Sequence, residues 1–502
     1  MQAVVRLLAS GALLGCLAGG ALGQDMKLSL PGSPLGIAWG FIYGGGGVPA
    51  ESFMPQVRSL GAGASKVYLF WSQLEPTKGH YDWSALDAYL KQLKSPDEGL
   101  ISVFASSPWA TRTTSLLLPP SPAKDPADYA RFIGDLVRHC HGRVRYFEND
   151  AEPSNPIYWL GTKEEFVTEL KAFSKAVRET DPKAKVVAGG YDGLFNPPPM
   201  PPVPNQQIGL AFFDYVLQNA GDSFDFFDLR LYGNPYTIPG RVDYIHKRMA
   251  AFGYQKPILC NEYGGPGFFE FPINRKYFAL VNSWSQAIQK PGANGEVGQE
   301  ASSGNGVADL YKKMDTLDPQ TQMFLQNPPP AIQAKFERLQ ARDVVMRNVL
   351  AFSAGVQRTL YWDLWGDGMA KDSIMSLMFG KVAMMGYEGK KLTVCKPVAE
   401  AYARMAGELR GVRSVKRIEV ADQPSIYLFE VDRGRRGPLF VVWEQRDTFT
   451  GEDAPAKPFE WTWASSKAKA VDALGVSVPV EVSGGKAKLA VSITPIFVEP
   501  AR

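Results

Sequence analysis

The chain has 502 residues, of which 45% are hydrophobic and 21% are charged, and its formal net charge is +3. This composition is ordinary for a globular protein. The length allows roughly two to three domains, although a barrel takes roughly 250 to 400 residues as one unit. A net charge this small, with no cluster of Lys or Arg, argues against a protein that binds nucleic acid.

The N-terminus has the pattern of a secretory signal peptide, which we predict to span residues 1–23. Arg6 supplies the positive charge, residues 7–17 form the apolar part, and small residues lead up to a cleavage site after Gly23. We therefore expect a secreted or periplasmic protein. An N-terminal membrane anchor and a lipoprotein attached through Cys16 are the alternatives. No other stretch is apolar enough to span a bilayer, so we expect no stable membrane insertion after cleavage.

Cysteine and histidine are too few and too irregularly spaced to frame a fold or a metal centre. Outside the signal segment the cysteines are Cys140, Cys260 and Cys395, an odd number that leaves room for one bridge at most. His139 and His141 flank Cys140, but this segment lacks the ligand spacing of a zinc motif. We therefore expect neither a metal nor a cofactor.

From about residue 35 to residue 410, short apolar runs alternate with helical patterns. This alternation is typical of repeated βα units and a parallel sheet, and eight such runs fit a (β/α)8 TIM barrel with insertions. The predicted strands are Leu35–Tyr43, Lys66–Trp71, Leu100–Ala105, Val144–Glu148, Ala184–Gly189, Phe226–Tyr232, Pro257–Glu262 and Arg358–Trp362.

Amphipathic helices are predicted between these strands. The clearest spans Lys163–Asp181, where apolar residues recur at spacings of three and four, and Thr162 with Glu165 predicts a capping box at its start. Residues 129–140 carry a similar apolar stripe.

Two segments are longer than the barrel requires. Residues 196–207 are rich in proline and unable to form a helix. The insertion at residues 264–357 exceeds one helix and includes a stretch, 291–306, whose composition favours flexibility. Both follow the carboxyl ends of strands, where barrels place their sites, so we expect them to shape a cleft or lid; exposed linkers are the alternative.

After about residue 410 the pattern changes to short alternating runs separated by turn residues, which favours an antiparallel β-sandwich. Pro479 suits an edge strand, because proline lacks the N–H of a sheet ladder. We therefore divide the mature chain into a barrel, residues 24–410, and a β-sandwich domain, residues 411–502. The predicted strands are Ser414–Val420, Ser425–Val431, Pro438–Trp443, Phe459–Thr462, Val478–Val482 and Lys486–Val491.

Two glutamates stand at the ends of predicted barrel strands. Glu152 follows the fourth strand and Glu262 ends the seventh, so parallel strands in register bring both side chains to the same mouth of the barrel. Two carboxyl groups across a cleft are the minimum machinery for cleaving a glycosidic bond, because one holds a proton for the leaving group while the other stays ionised. Most surface glutamates are merely solvated, but a carboxylate at the end of an apolar strand is costly to desolvate without a purpose.

Several segments, in order, resemble those of clan A glycoside hydrolases. They are residues 68–94, SSPWAT at 106–111, RYFENDAEPSN at 145–155, KPILCNEYG at 256–264 and TLYWDLWGDG at 359–368. The C-terminal TPIFVEP is similar to the end of the β-sandwich attached to family 39 barrels, the β-xylosidase and α-L-iduronidase type. The resemblance spans nearly the whole mature chain.

The resemblance implies a retaining enzyme that cleaves β-linked glycans by double displacement. Glu152 would be the acid/base and Glu262 the nucleophile, with the two carboxyl groups about 5–5.5 Å apart. Tyr232 would orient the nucleophile, and Trp362 would lie beneath the sugar.

Trp71 and Trp109 are weaker candidates for walls of the substrate site. Core packing is the alternative role for them and for Tyr232 and Trp362.

Two positions depart from the family pattern. Where the family has an Asn that contacts the 2-hydroxyl of the sugar, this chain has Ala151, so either Asn149 or Asp150 supplies the contact from a shifted position or the substrate differs at C2. Where strand two usually has Arg, this chain has Lys66, which keeps the charge but not the bidentate fork. We expect Glu148, deeper on strand four, to be a buried structural acid paired with Lys66.

Together these features predict a secreted retaining glycoside hydrolase acting on an oligo- or polysaccharide. Ala151 motivates a second hypothesis, a catalytically silent barrel that binds carbohydrate. Retention of both Glu152 and Glu262 argues against it, because binding alone does not require two convergent carboxylates. A transglycosylase that uses the same residues with a sugar acceptor is the third hypothesis.

Overall fold

The computed structural model describes residues 27–30, 32–41, 53–191, 196, 202, 206–281, 306–365, 371–388 and 391–501. The predicted signal segment with Cys16, most of the proline-rich segment and nearly all of the 291–306 stretch lie outside these residues.

Eight parallel strands form a closed barrel in which each strand pairs with the next and the eighth pairs with the first. The predicted (β/α)8 barrel is thereby confirmed, and each predicted strand overlaps an observed one. The barrel strands are β1 (Leu35–Phe41), β2 (Ala64–Phe70), β3 (Glu98–Phe104), β4 (Tyr146–Asn149), β5 (Lys185–Tyr191), β6 (Phe226–Leu229), β7 (Ile258–Tyr263) and β8 (Thr359–Tyr361).

Helices surround the barrel and follow its strands. The predicted helix at Lys163 is present, and its capping box is complete because Thr162 Oγ1 accepts the Glu165 N–H and Glu165 Oε2 accepts the Thr162 N–H. The helices are α1 (Phe53–Ser59), α2 (Trp71–Leu74), α3 (Ser84–Leu90), α4 (Pro126–Cys140), α5 (Lys163–Thr180), α6 (Gln206–Ala220), α7 (Ile238–Ala251), α8 (Val307–Lys312), α9 (Pro319–Gln322), α10 (Pro330–Ser353), α11 (Ile374–Phe379) and α12 (Pro397–Glu408).

Inward-facing side chains fill the barrel in layers, as strand alternation requires. Near the beginnings of the strands, an apolar cluster forms the floor, made up of Leu100, Tyr146, Val187, Phe226 and Leu259. Two residues further along four of these strands lies a buried polar layer, made up of Ser102, Glu148, Asp228 and Asn261. Polar groups therefore begin in mid-barrel and continue toward the mouth.

After a hairpin of β9 (Met385–Glu388) and β10 (Lys391–Cys395), the C-terminal strands are β11 (Ser414–Ile418), β12 (Ile426–Asp432), β13 (Leu439–Glu444), β14 (Lys457–Thr462), β15 (Ala468–Asp472), β16 (Glu481–Ser483), β17 (Lys486–Val491) and β18 (Ile496–Pro500). The strands β11 to β18 form two antiparallel sheets, a five-stranded sheet in the order β11-β12-β13-β18-β15 and a three-stranded sheet in the order β14-β17-β16. A separate apolar core lies between the two sheets, and the predicted β-sandwich is confirmed.

Two sandwich strands, β15 and β18, were missed by the strand pattern, and one was misplaced. Residues 496–498 of β18 are all buried, so this strand lacks the alternation that marks a half-exposed one. The strand expected at Val478–Val482 is β16, which begins only at Glu481. Pro479 precedes it, consistent with its inability to donate within a ladder, and β16 does lie at a sheet edge.

The barrel and the sandwich share a core and several polar contacts. Trp443 of β13 is fully buried and donates through Nε1 to the Tyr236 hydroxyl at 3.0 Å. Glu452 accepts hydrogen bonds from Arg338 at 2.8 Å and Arg342 at 2.5 Å, both on α10. The domain division at residue 410 stays a prediction; it falls between the end of α12 and the start of β11.

Within the described part of the chain, no helix has both the length and the apolar character needed to cross a membrane. The same residues contain no group of three or more His, Cys, Asp or Glu side chains suited to hold a metal ion. Cys140, Cys260 and Cys395 are free thiols, so the one bridge that the sequence left open does not form among them. His139 instead stacks on Trp83 and bonds to Asp87 through Nε2 at 2.8 Å.

Glu452 is expected to stabilise the barrel–sandwich contact at neutral pH. Against the cost of burial, hydrogen bonds from Arg338 and Arg342 lower the pKa of Glu452 to about 2. A lowered pKa contributes stability above the carboxyl's ordinary pKa, and that stability is lost as the pH falls through the lowered value. Glu452→Gln should therefore lower the melting temperature at pH 7, and calorimetry should show the difference from wild type shrinking as the pH falls toward about 2.

The matched control is Glu460→Gln, which removes an exposed ion pair with Lys486 in the same sandwich. Such pairs contribute little, so its melting temperature should stay near that of the wild type. If Glu452→Gln does not lower the melting temperature, or lowers it equally at all pH values, ionised Glu452 does not stabilise the barrel–sandwich contact.

Candidate active site

The seventh strand delivers Glu262 to the barrel mouth through a local irregularity. The register of β7 against β8 shifts between Cys260 and Tyr263. As a result Asn261 and Glu262, although neighbours in sequence, both contact groups inside the barrel: Asn261 Nδ2 lies 3.4 Å from Glu148 Oε1, and Glu262 contacts side chains of β2 and of the segment after β6. The Glu262 side chain keeps 13% of its surface exposed, so a molecule entering the mouth can touch it.

Three donors converge on the Glu262 carboxylate. The Tyr232 hydroxyl donates to Oε1 at 2.7 Å, and the Arg230 guanidinium donates to Oε2 at 2.5 Å. The Tyr68 hydroxyl also donates to Oε2. An ionised carboxylate accepts roughly four hydrogen bonds, so these donors favour the ionised form. Counted over the described residues, they leave room at Oε1 for one further contact.

Burial and charge act in opposite directions on Glu262. Burial raises the pKa of its carboxyl to about 7, and the Lys66 ammonium opposes that rise. The Arg230 contact at 2.5 Å acts in the same direction as Lys66, because a nearby cation stabilises the ionised carboxylate. The charge on Glu262 is therefore sensitive to each donor around it.

Arg230 is placed by strand alternation and held by two carboxylates. It shares the inward face with Asp228 and Tyr232, two residues before and after it. Its Nε lies 2.7 Å from Asp228 Oδ2, and its Nη2 lies 3.7 Å from Glu148 Oε1. Gly190 on β5 makes room for this arrangement, because a Cβ there would overlap both Arg230 and Asp228.

Lys66 and Glu148 form the buried ion pair predicted from the sequence, with Nζ 3.0 Å from Oε2 and neither side chain exposed. Burial opposes the charge on Glu148, but Lys66 and Arg230 together lower its pKa. Lys66 is thus engaged deeper in the barrel. The guanidinium beside Glu262 belongs to Arg230, in the segment after β6. The family pattern has its Arg on strand two, where this chain has Lys66.

Glu152 lies half-buried in the loop after β4, within electrostatic range of the groups around Glu262. Its charge acts on both Arg230 and Tyr232, the side chains that donate to Glu262. Arg230 Nη2 also donates to the carbonyl oxygen of Ala151 at 3.3 Å. One guanidinium therefore links Glu262 to the backbone immediately before Glu152, and the two glutamates lie at the same end of the barrel.

Asn149 and Asp150 face the helix layer, and neither is exposed. The Tyr129 hydroxyl of α4 donates to Asn149 Oδ1 at 2.5 Å, whereas Asp150 Oδ1 accepts the Ala105 N–H at 3.2 Å and its carboxyl adjoins that of Glu169 on α5. Asp150 has a φ of 50°, in the left-handed region, so strand alternation stops there. Their burial favours a structural role for both side chains, and contact of either one with the substrate stays a prediction.

Ala151 is 3% exposed and belongs to an apolar cluster beside the mouth. The position at which the family pattern has a polar Asn is therefore lined by carbon atoms here. The other buried members of the cluster are Tyr68, Phe70, Phe104, Leu118 and Ile157.

Tyr232 and Trp362 are both half-buried at the mouth. Each packs edge-on against Phe379 of α11, with ring centroids 5.8 Å and 5.1 Å apart, respectively. Three aromatic rings thus lie together, and one of them, that of Tyr232, carries a hydroxyl that donates to Glu262. Their contacts with a sugar stay a prediction.

Trp71 and Trp109 lie on the outer side of the barrel wall. Trp71 has no exposed surface and stacks on Phe132 of α4 at a centroid distance of 5.0 Å. Trp109 is half-buried, packs edge-on against Trp71, and donates through Nε1 to the Glu75 carbonyl at 3.0 Å. The enclosure of the Trp71 indole favours the core-packing role that the sequence left open, and contact of either tryptophan with the substrate stays a prediction.

Sequence reasoning missed Tyr68 and Arg230, although strand alternation carried the signal. Tyr68 has the same parity as Lys66 on β2, so it faces inward, whereas Trp71 has the opposite parity. Arg230 has the parity of Tyr232. Applying the period of two from each predicted inward residue would have selected both.

No protein-family model matches the sequence, and comparison with curated proteins finds no relative. The structure is similar to a family 39 glycoside hydrolase from the gut symbiont Bacteroides cellulosilyticus WH2, with a TM-score of 0.61 and 14% identity over 93% of this chain and 81% of that one. It is also similar to a family 39 β-xylosidase from Caulobacter crescentus (TM-score 0.57, 13% identity, 94% and 96% covered). A family 30 subfamily 8 xylanase from Clostridium acetobutylicum gives a TM-score of 0.52 with 11% identity over 93% and 96%.

At such low identity the likeness concerns the fold. It confirms the predicted resemblance at that level: the chain has the barrel-and-sandwich fold of clan A glycoside hydrolases such as those of family 39.

The Asp150–Glu169 pair predicts a pH-dependent stability. Burial raises the pKa of Asp150 to about 8 and that of Glu169 well above its ordinary value. A raised pKa contributes stability that is fully present below the unfolded-state pKa and is lost as the pH rises through the folded-state value. The free energy of unfolding should therefore decline as the pH rises from about 4.5 toward 8.

Glu169→Gln should flatten that decline, because Gln donates to Asp150 without titrating and still accepts the Ala123 N–H that Glu169 accepts now. Denaturant unfolding at several pH values measures the effect. Glu164→Gln, an exposed change on the same helix, is the control. Equal pH profiles for wild type and Glu169→Gln would contradict the prediction.

Tyr68→Phe should raise the pH at which Glu262 titrates, because it removes one donor to the ionised carboxylate. The titration can be followed through the carboxyl carbon resonance that Glu262→Gln lacks. Tyr89→Phe is the matched control, since it removes a buried hydroxyl that bonds to Ser65 at 2.7 Å. If Tyr68→Phe does not shift the Glu262 titration, the hydrogen bond from Tyr68 does not stabilise the ionised form of Glu262.

Proposed function

We propose that the protein is a retaining glycoside hydrolase that cleaves β-linked glycans, with Glu262 as nucleophile and Glu152 as acid/base. The observation that carries this proposal is the convergence of Tyr68, Arg230 and Tyr232 on Glu262 at the mouth that also holds Glu152.

The contacts support a division of labour between the two carboxylate oxygens of Glu262. Oε2 takes the hydrogen bonds from Arg230 and Tyr68, so Oε1 is the atom placed to attack the anomeric carbon. In the first step Glu152 gives its proton to the glycosidic oxygen, the glycosidic bond breaks with release of the leaving alcohol, and Oε1 of Glu262 forms an ester with the anomeric carbon. In the second step Glu152 takes a proton from water, the water oxygen bonds to the anomeric carbon, and the ester bond breaks to release Glu262 as a carboxylate, so the original configuration is restored.

The electrostatic arrangement favours an enzyme over a silent carbohydrate-binding barrel. Burying Glu262 costs free energy, and the chain offsets that cost with a guanidinium and two hydroxyl groups while leaving part of the carboxylate exposed. A binding protein gains nothing from a preoriented carboxylate at a mouth that also holds a second glutamate. A transglycosylase would use the same arrangement and differs only in the acceptor.

The solved structures similar to this chain are described as a β-xylosidase, a xylanase and an α-L-arabinofuranosidase, among others. Xylosides and arabinofuranosides are therefore the first substrates to test. The signal peptide predicted over residues 1–23 supports action on glycans outside the cytoplasm, in the periplasm or after secretion. We assign catalysis to the barrel, residues 24–410, and a supporting role to the β-sandwich, residues 411–502.

Removing each glutamate should produce a different defect. Glu262→Gln should abolish hydrolysis across a panel of aryl glycosides and polysaccharides, because no ester can form. Glu152→Ala should slow hydrolysis roughly 100-fold or more for substrates with poor leaving groups, and less for activated aryl glycosides, which need no proton. Azide should restore turnover of Glu152→Ala on activated substrates and yield a glycosyl azide of retained configuration, because an anion attacks without a base.

Glu179→Gln, an exposed change on α5, is the control and should keep wild-type activity. Hydrolysis that persists in Glu262→Gln would contradict the assignment of the nucleophile. Glycan binding without hydrolysis, unchanged in Glu262→Gln, would instead identify a silent barrel. Predominant transfer to added sugar acceptors would identify a transglycosylase.

A further inference from the structure

Helix α10 delivers a buried arginine to the loop that carries Tyr232. Arg347 is 1% exposed, and its Nη1 donates to the carbonyl oxygens of Leu231 at 2.5 Å and Gly233 at 2.7 Å. These carbonyls stand on either side of Tyr232, whose hydroxyl donates to Glu262. A single guanidinium that holds both carbonyls fixes the backbone from which the Tyr232 side chain projects.

Two carboxylates orient this guanidinium. Asp343, one turn earlier on α10, accepts from Nε at 2.9 Å and from Nη2 at 2.8 Å, and Glu270 Oε1 lies 3.5 Å from Nη2. Against the cost of burial, Asp343 and Glu270 raise the pKa of Arg347, so it stays charged. Bidentate pairing fixes the plane of a guanidinium as well as its position, which sets the direction of the bonds to the loop.

The turn after β7 is packed against the same side chain. Gly265 has no Cβ, and one placed there would lie 2.5 Å from Arg347 Nη2 and 2.7 Å from Asp343 Oδ2. The next residue of α10, Asn348, donates to the Tyr263 hydroxyl at 2.6 Å. One turn of α10 therefore contacts both the loop that carries Tyr232 and the end of the strand that carries Glu262.

We propose that Arg347 is a positioning residue, which clamps the backbone on both sides of Tyr232 and so keeps the Tyr232 hydroxyl on Oε1 of Glu262. In the described residues its contacts are with backbone carbonyls and with the carboxylates of Asp343 and Glu270, not with Glu262 itself. The expected effect of Arg347 on turnover rests on the proposed function. Its expected effect on the pH at which Glu262 titrates does not.

The test compares Arg347→Lys, Tyr232→Phe and the double variant by two measurements. The first is the titration of Glu262, followed by its carboxyl carbon resonance, and the second is kcat/KM as a function of pH. Lysine keeps the positive charge beside Asp343 but lacks the fork that serves a carboxylate and two carbonyls at once. Both single variants should move the Glu262 titration and the acid limb of kcat/KM to higher pH.

At a pH on the acid limb, each single variant should lower kcat/KM roughly tenfold, as loss of a hydrogen bond to a charged group predicts. The double variant should shift the titration no further than Tyr232→Phe, because both changes remove the same contact. A purely structural role for Arg347 predicts a lower melting temperature with an unshifted titration.

Arg342→Lys is the matched control. It lies on the same helix but bonds to Thr494 and Glu452 in the sandwich, so it should lower the melting temperature without moving the Glu262 titration. If Arg347→Lys does not fold, Asp343→Asn removes the carboxylate that orients the guanidinium and should shift the titration in the same direction.

The proposal would be overturned by an unshifted Glu262 titration in Arg347→Lys or, if that variant does not fold, in Asp343→Asn. It would also be overturned if the shifts of Arg347→Lys and Tyr232→Phe add in the double variant. Shifts of the expected pattern in a protein without glycosidase activity would support the positioning role and contradict the proposed function.

Discussion

The candidate site depends on the ion pairs of one desolvated guanidinium inside the barrel, that of Arg230. Arg230 has no exposed surface, and it contacts Asp228, Glu148, Glu262 and the carbonyl oxygen of Ala151. A buried charge persists when it is paired and hydrogen-bonded, and removal of one partner leaves the other uncompensated. The segments after β4 and β6 and the end of β7 are therefore tied together, because each supplies a group to the same cation.

Helix α10 connects this network to the rest of the molecule. Arg347 on one turn holds the loop around Tyr232, and Arg342, five residues earlier, bonds to Glu452 of the sandwich. One helix thus carries both the support of the site and the attachment of the C-terminal strands. This arrangement gives the long insertion between β7 and β8 a structural role: it brings cationic side chains to places that the eight strands themselves cannot reach.

The surroundings of the site strengthen its electrostatics. Tyr68, which donates to Glu262, belongs to an apolar cluster with Phe104 and Ala151. The mouth is therefore lined by apolar side chains where this cluster lies. Electrostatic interactions weaken less with distance where water is excluded, and preorganised donors then act strongly on a nearby charge. The apolar cluster and the ionic network therefore act together on Glu262, the first by excluding water and the second by supplying charge.

Alternation and helical periodicity alone determined the eight-stranded barrel, the capped helix at Lys163, the C-terminal β-sandwich and the Lys66–Glu148 pair. These features depend on spacings along one chain segment, or on parallel strands held in register, so they can be read from local patterns. The ends of β4 and β7 could not be read in this way. Asp150 adopts a left-handed conformation and β7 shifts register before Tyr263, and either irregularity changes which side chains face inward.

The tertiary structure alone decided which cation reaches Glu262. Lys66 and Arg230 are both inward-facing by parity, but Lys66 lies 3.0 Å from Glu148 whereas Arg230 extends to Glu262. That choice depends on the space left by Gly190 on β5, the strand that pairs with β6. The neighbouring contact from Tyr232 to Glu262 comes from a loop whose backbone bonds to Arg347, more than 100 residues from Tyr232 in sequence. Contacts between such distant residues leave no periodic signal in the chain, because packing in three dimensions sets them and local spacing does not.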